Sequence, residues 1–247
     1  MPETAPDPPG RSSGRAPGPA ATVAVIGLLF GLLFALLTPP FQAPDENLHF
    51  RRTYLISAGD RLTAGPGRAR GAWLPASLET LVGQTLQGIP FTPGKKLAPG
   101  TIRRALAIPL EPERQAFVPA DQLTHYLPII YLPQALAVGL ARTAGARPLV
   151  LLYLARLANL AACLALAVLA VAIAPCCRWL LAALALVPMA VFLRSSTSPD
   201  GLTDAAGLLL AGALLAAGFA PEPRRRRGLA IAVAAAALVR MLGRYYG

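Results

Sequence analysis

The segment Pro44-Asp45-Glu46-Asn47-Leu48-His49-Phe50 places two carboxylates directly after an apolar run, Ala21 to Leu37, that Pro39-Pro40 ends. Carboxylates at the exit of a membrane helix stand at the water interface. There they can accept a proton from a hydroxyl or hold a cation beside a lipid-linked molecule. The same residues have a plainer reading. Pro44-Asp45 is a helix start, with Asp45 as the N-cap that accepts free backbone N–H groups. The two roles are compatible at one position.

A second acidic group lies far along the chain. Asp200 and Asp204 are four positions apart and share one face of the helix that opens there. Asp204 falls within an apolar segment, where an acid is costly and marks a functional site or a buried hydrogen bond. Arg156 and Asn159, three positions apart in another apolar segment, must point into protein rather than lipid. Arg156 holds a phosphate in bidentate fashion, pairs with an acid, or snorkels to the interface, and the sequence leaves all three open. Arg51-Arg52 follow the first acidic segment by one to two helical turns, with His49 between. Lys95-Lys96 and Arg103-Arg104 read as solvated faces, and His125 is a lone histidine at the start of the next apolar stretch. Cys163, Cys176 and Cys177 form neither a disulfide framework nor a metal clip and read as packing residues.

These residues need membrane helices to position them. With 55% hydrophobic and 14% charged residues among 247, the chain is too apolar for one soluble domain. Its Leu- and Ala-rich runs match a hydrocarbon layer of about 30 Å. The net charge of +11 does not indicate nucleic-acid binding, because the arginines sit at the ends of apolar runs and no basic helix carries interleaved base-reading side chains. The first run has no A-x-A site at the right distance and reads as a retained anchor rather than a cleaved signal.

The predicted organisation is an all-α integral membrane protein with a large first external loop. Residues 1–19 form a disordered cytoplasmic tail and 20–38 the first span. Residues 39–148 are an external loop with short helical pieces at best and a re-entrant helix near 126–141, where Pro128 and Pro133 interrupt the apolar pattern. Three further spans cover 149–174, 179–194 and 202–220. Residues 221–247 hold a cytoplasmic loop and an incomplete span. The run Arg224-Arg225-Arg226-Arg227 marks the cytoplasmic side of a cell inner or plasma membrane. Four crossings then put Asp45-Glu46 and Asp200 on one external face.

With these segments in place, the chain resembles the bacterial multipass membrane family called domain of unknown function 2142, itself similar to the family C (GT-C) glycosyltransferases. The likeness rests on Pro39 to Glu46, then His49-Phe50-Arg51, Tyr126-Leu127-Pro128 with Tyr131-Leu132-Pro133, Arg156 with Asn159, and Ser195 to Asp200. It implies a GT-C-like helical bundle, partial here, since such proteins continue for several more spans. It also implies transfer of a sugar from a polyprenyl-phosphate donor on the external face, for cell-envelope glycan assembly. Under that resemblance Asp45 or Glu46 is the catalytic base, and Asp200 positions the acceptor or, with Asp45, a divalent cation. Arg51 or Arg156 offsets the charge of the departing phosphate. His49, His125, Asn159 and Asp204 complete the expected substrate-binding set, with membrane lipids as the other partner. The competing readings are a non-catalytic membrane assembly or scaffold protein, and a transporter-like protein using Arg156 and Asp204 as an ion site.

Overall fold

A computed structural model describes residues 17–92, 94–123 and 126–243. Most of the expected N-terminal tail, and His125, therefore lie outside the described residues.

Helix α1 (Pro19–Leu37) has no charged residue, and its small side chains recur every fourth position. Val23, Gly27, Gly31 and Ala35 are buried, while Val25, Leu28, Leu29, Leu36 and Leu37 are exposed. Such a helix, apolar all round, needs lipid or protein on its outer face. The buried stripe packs on α6 (Pro148–Ile173). A Cβ on Gly31 would come within 2.5 Å of Leu160 Cδ1, so glycine sets how closely the two helices approach. Helix α9 (Asp200–Phe219) also packs on α6, and Gly212 there faces the Ala170 carbonyl. These three helices are long and apolar enough to cross a membrane. Helix α10 (Arg224–Gly243) packs back along α9. Its first turn contains the four arginines, so the run is helical rather than the loop expected of it.

The stretch 179–194 was expected as one span and is instead two short helices. Helix α7 (Arg178–Ala185) and α8 (Pro188–Arg194) meet at Pro188, which stands at the first position of α8. Proline lacks the N–H that a continuous helix needs and forces the preceding Val187 into an extended conformation. The break frees carbonyls, and Arg194 Nη1 donates to one of them, Ala185 O, at 2.6 Å. The pair still runs back along the C-terminal half of α6. Arg178 Nε donates to Val171 O near the C-terminal end of α6, and Arg194 O meets Asn159 near its middle.

Around the N-terminal end of α6 the remaining elements form an assembly with its own core. Helices α2 (Glu46–Ser57), α3 (Ala76–Thr85), α4 (Pro99–Ala107) and α5 (Leu132–Thr143) surround Phe41, Phe50, Tyr54, Leu78, Leu81, Leu149 and Leu152. A three-stranded antiparallel sheet, β1 (Thr63–Ala64), β2 (Arg70–Pro75) and β3 (Gln115–Pro119), lies within this region. The loop is thus more ordered than the helical pieces expected of it. The register Ala72↔Val118 and Leu74↔Ala116 buries Ala72, Leu74 and Val118, while Trp73 and Phe117 pack edge-to-face on the opposite face.

From Arg156 to Ile173, α6 rises about 27 Å, close to the hydrocarbon thickness of about 30 Å. Arg156 stands beside Thr38 and Pro39, just past the end of α1. The preceding turns of α6 therefore extend past α1, and α5, the segment read as re-entrant, lies against them. Gln134 bonds Asn159 and Arg142 bonds Ser57 O at opposite ends of α5. Cys163 is buried as expected of a packing residue; Cys176 and Cys177 are exposed in the turn between α6 and α7 and pack nothing.

Candidate functional site

Glu46 and Arg156, 110 positions apart in sequence, form a buried bidentate ion pair. Arg156 Nε donates to Glu46 Oε1 at 2.8 Å and Nη2 to Oε2 at 2.6 Å. Nη1 donates to Ala35 O at 2.8 Å and Thr38 O at 2.7 Å, and Nη2 also to Pro39 O at 3.1 Å. All five guanidinium N–H groups are therefore used. Glu46 Oε2 also accepts from Phe41 N at 3.0 Å, and Oε1 from Thr197 N at 3.3 Å. Of the three roles open to Arg156, pairing with an acid is the one seen. Both side chains are effectively sealed from water, at 1% and 0% exposure. A carboxylate with four donors in place has no free lone pair for an acceptor hydroxyl.

This pair fixes the chain that leaves the membrane. Arg156 gathers the carbonyls at the end of α1, and Glu46 holds the amide of Phe41. Within the segment so pinned, Phe41 and Asp45 adopt left-handed conformations with φ of 62° and 52°. Such conformations cost roughly 1–3 kcal/mol each and persist only where the surroundings impose them. Asp45 stands at the N-cap position of α2, yet its side chain makes no capping bond. The carboxylate is exposed and has no hydrogen-bond or ion-pair partner among the described residues. It borders a cavity of about 440 Å³ with Phe41, Gln42, Asn47, Leu48, Leu86 and Phe91. Its neighbour Glu46, by contrast, is buried and fully bonded.

Asp200 joins the same region through the polar turn before α9. Thr197 Oγ1 donates to Glu46 O at 3.3 Å, three positions before Asp200. Asn159 secures that turn: its Nδ2 donates to Ser196 O at 2.8 Å, and its Oδ1 accepts from Gln134 Nε2 at 3.0 Å. Asp200 is exposed and its carboxylate also has no partner among the described residues. Asp204 does not join it; its carboxylate is held by Arg194, whose guanidinium is buried.

The remaining residues divide in the same way. Arg51 is bidentate to Glu79 at 2.7 and 2.6 Å, tying α2 to α3. Arg52 pairs with Asp60. His49 Nδ1 meets Tyr131 Oη at 2.9 Å, and its ring packs against Tyr126 and Tyr131. Burial pushes the Tyr131 phenol up, a nearby Tyr126 adds to this, Arg52 opposes it and Asp200 reinforces it. The neutral hydroxyl therefore persists as the partner of His49, close enough to Asp200 to feel its charge. Among the described residues no group of three His, Cys, Asp or Glu side chains is assembled for a metal.

Several participants escaped the sequence reading. Gln134 and Glu79 lie in ordinary surroundings with no local signal, and Thr197 stood only within the Ser195 to Asp200 motif, with no role assigned to it. Arg194 closes an apolar segment, and the rule that singled out Arg156 applies equally to it.

The order of the parts matters: an apolar helix, an acidic turn pinned by a distant arginine, a mixed α/β loop, and a polar turn opening a later helix. A family model described as "Predicted membrane protein (DUF2142)" matches residues 28–246. The chain belongs to the DUF2142 family. The match takes in α1 from Leu28 onward, the whole assembly between α1 and α6, and α6 to α10, so every site residue described above lies within the DUF2142 region. No curated protein and no solved structure matches the chain.

Proposed function

We propose that this DUF2142 protein transfers a sugar from a polyprenyl-phosphate donor to a hydroxyl acceptor at the external membrane surface, with Asp45 as the base. The observation that carries the reading is the unpartnered Asp45 carboxylate, held in a strained conformation beside a cavity where α1 leaves the membrane. In the step, the acceptor oxygen bonds to the anomeric carbon of the sugar. The bond from that carbon to the phosphate oxygen breaks with its electron pair, and the acceptor proton passes to Asp45. Asp200 orients the acceptor or, with Asp45, holds a divalent cation against the departing phosphate. An apolar groove of about 290 Å³ beside Phe30, Phe34 and Val191 adds room for a hydrocarbon chain at membrane depth. Arg51 and Arg156, expected to face the phosphate, are engaged with Glu79 and Glu46, so Glu46 and Arg156 enter this reading as positioning residues.

The test is transfer by the purified full chain from polyprenyl-phosphate sugars. Asp45→Asn is expected to lower transfer by about 10²–10⁴-fold with thermal stability unchanged, because the side chain makes no bond within the protein. No transfer by the wild type overturns the enzymatic reading, and full transfer by the variant overturns the site. The second reading, a membrane assembly protein without catalysis, draws on the internal pairing of Glu46, Arg51, Arg156 and Asp204. It requires only that these pairs hold the loop in shape.

A further inference from the structure

At the end of the bundle opposite Asp45, a cavity of about 630 Å³ opens where α6, α7, α9 and α10 meet. Arg178 borders it from the start of α7, and Arg224 and Arg227 from the start of α10. Ala172, Ala216 and Ile231 are among its apolar walls. Among the described residues no acidic side chain lines it. The neighbouring Glu222 already pairs with Arg226 at 3.4 Å. Arg178 spends its Nε on Val171 O, which leaves both of its Nη groups available. Neither these nor the Arg224 and Arg227 guanidiniums have a carboxylate partner among the described residues.

Three like charges brought by two separate elements to the rim of one cavity, though exposed, make a local positive potential that favours an anion. Guanidinium forks match phosphate oxygens in bidentate fashion. The depth is also informative. Both α6 and α9 end here, where hydrocarbon gives way to headgroups, and Trp179 and Leu180 beside Arg178 are exposed at 60% and 61%. An exposed tryptophan next to an arginine is the pattern of a helix end seated in the interface. We infer that this cavity binds the phosphate of an anionic phospholipid headgroup, with the glycerol and upper acyl carbons against the alanine and isoleucine wall. The inference is independent of the transferase reading, since it uses none of its residues.

The experiment compares lipid retained by the full chain purified from bilayers containing phosphatidylcholine with and without phosphatidylglycerol, read by native mass spectrometry. Wild type is expected to retain phosphatidylglycerol preferentially. Each of Arg178→Gln, Arg224→Gln and Arg227→Gln should weaken that preference about fivefold, and the triple variant on the order of 100-fold. Arg225→Gln with Arg226→Gln, which removes the same two charges as the Arg224→Gln/Arg227→Gln pair but from residues that do not line the cavity, should keep it. Equal retention by the triple variant overturns the site, and an equal loss in the Arg225/Arg226 variant reduces it to general surface charge and overturns it as well. Competition by inorganic phosphate at the concentration of the lipid would make it a free-phosphate site and overturn the lipid assignment. Should the triple variant fail to fold, the exposed Arg224→Gln/Arg227→Gln pair decides, with an expected loss of about 25-fold.

Discussion

Glu46 and Arg156 meet out of water, and a buried pair of this kind behaves differently when halved than when removed. Glu46→Gln leaves the guanidinium uncompensated, and Arg156→Leu leaves the carboxylate so; each is expected to destabilise by about 3–5 kcal/mol. Once one partner is gone, removing the other relieves a stranded charge. The double variant should therefore cost clearly less than the sum of the singles. Thermal or denaturant unfolding of the four proteins in one detergent measures this, and strictly additive losses would show that the two side chains do not act as a unit. The same pair marks how far residues could be understood from sequence. Asp45, Glu46, Arg156, Asn159 and Asp200 all stood out, because charge and amide groups in or beside apolar runs are costly. Which of them pair was not legible, since a contact 110 positions apart leaves no trace in local periodicity. The outcome reverses the expected equivalence of the two acids: Glu46 is occupied, and Asp45 is left facing the cavity.

Among elements, the long helices were readable and the short ones were not. Helices α1, α6 and α9 announce themselves by unbroken apolar length, whereas β2 reads Arg-Gly-Ala-Trp-Leu-Pro, too short and mixed for a clear period of two. The α7–α8 break could be suspected at Pro188, but only the arginine that covers the freed Ala185 carbonyl shows how a broken helix is tolerated there. Helix contacts carry a sharper prediction. A Cβ at Gly212 would lie 2.4 Å from the Ala170 carbonyl oxygen, part of a rigid helix backbone, whereas at Gly31 the obstacle is the end of the Leu160 side chain. Gly212→Ala must push α9 off α6 and is expected to cost about 1–3 kcal/mol. Gly31→Ala should cost less, because Leu160 can change rotamer. Unfolding midpoints of the two variants give the order, and a larger loss at Gly31 would mean that α1 and α6 are locked more tightly than α6 and α9.

For the whole molecule, the helix directions fix which ends share a side. Helix α1 runs antiparallel to α6, α7 and α8 together run back along it, and α9 runs forward again, so the Asp45 and Asp200 turns lie at one end. The other end carries the α6–α7 turn with its exposed Cys176 and Cys177, and the arginine run at the start of α10. The positive-inside rule predicts this arginine-rich end on the cytoplasmic side, and on that orientation the Asp45 and Asp200 carboxylates are expected outside. The same orientation requires the helix pair broken at Pro188 to act as the third crossing, although neither half is long enough alone. The native cysteines supply the inner reporter. In intact cells a membrane-impermeant thiol reagent is expected to leave Cys176 and Cys177 unmodified until the membrane is permeabilised. In an otherwise cysteine-free chain, Asp200→Cys should react at once. A position-200 thiol that reacts only after permeabilisation would invert the molecule, move the lipid cavity to the outer leaflet and remove the external setting on which the Asp45 chemistry depends.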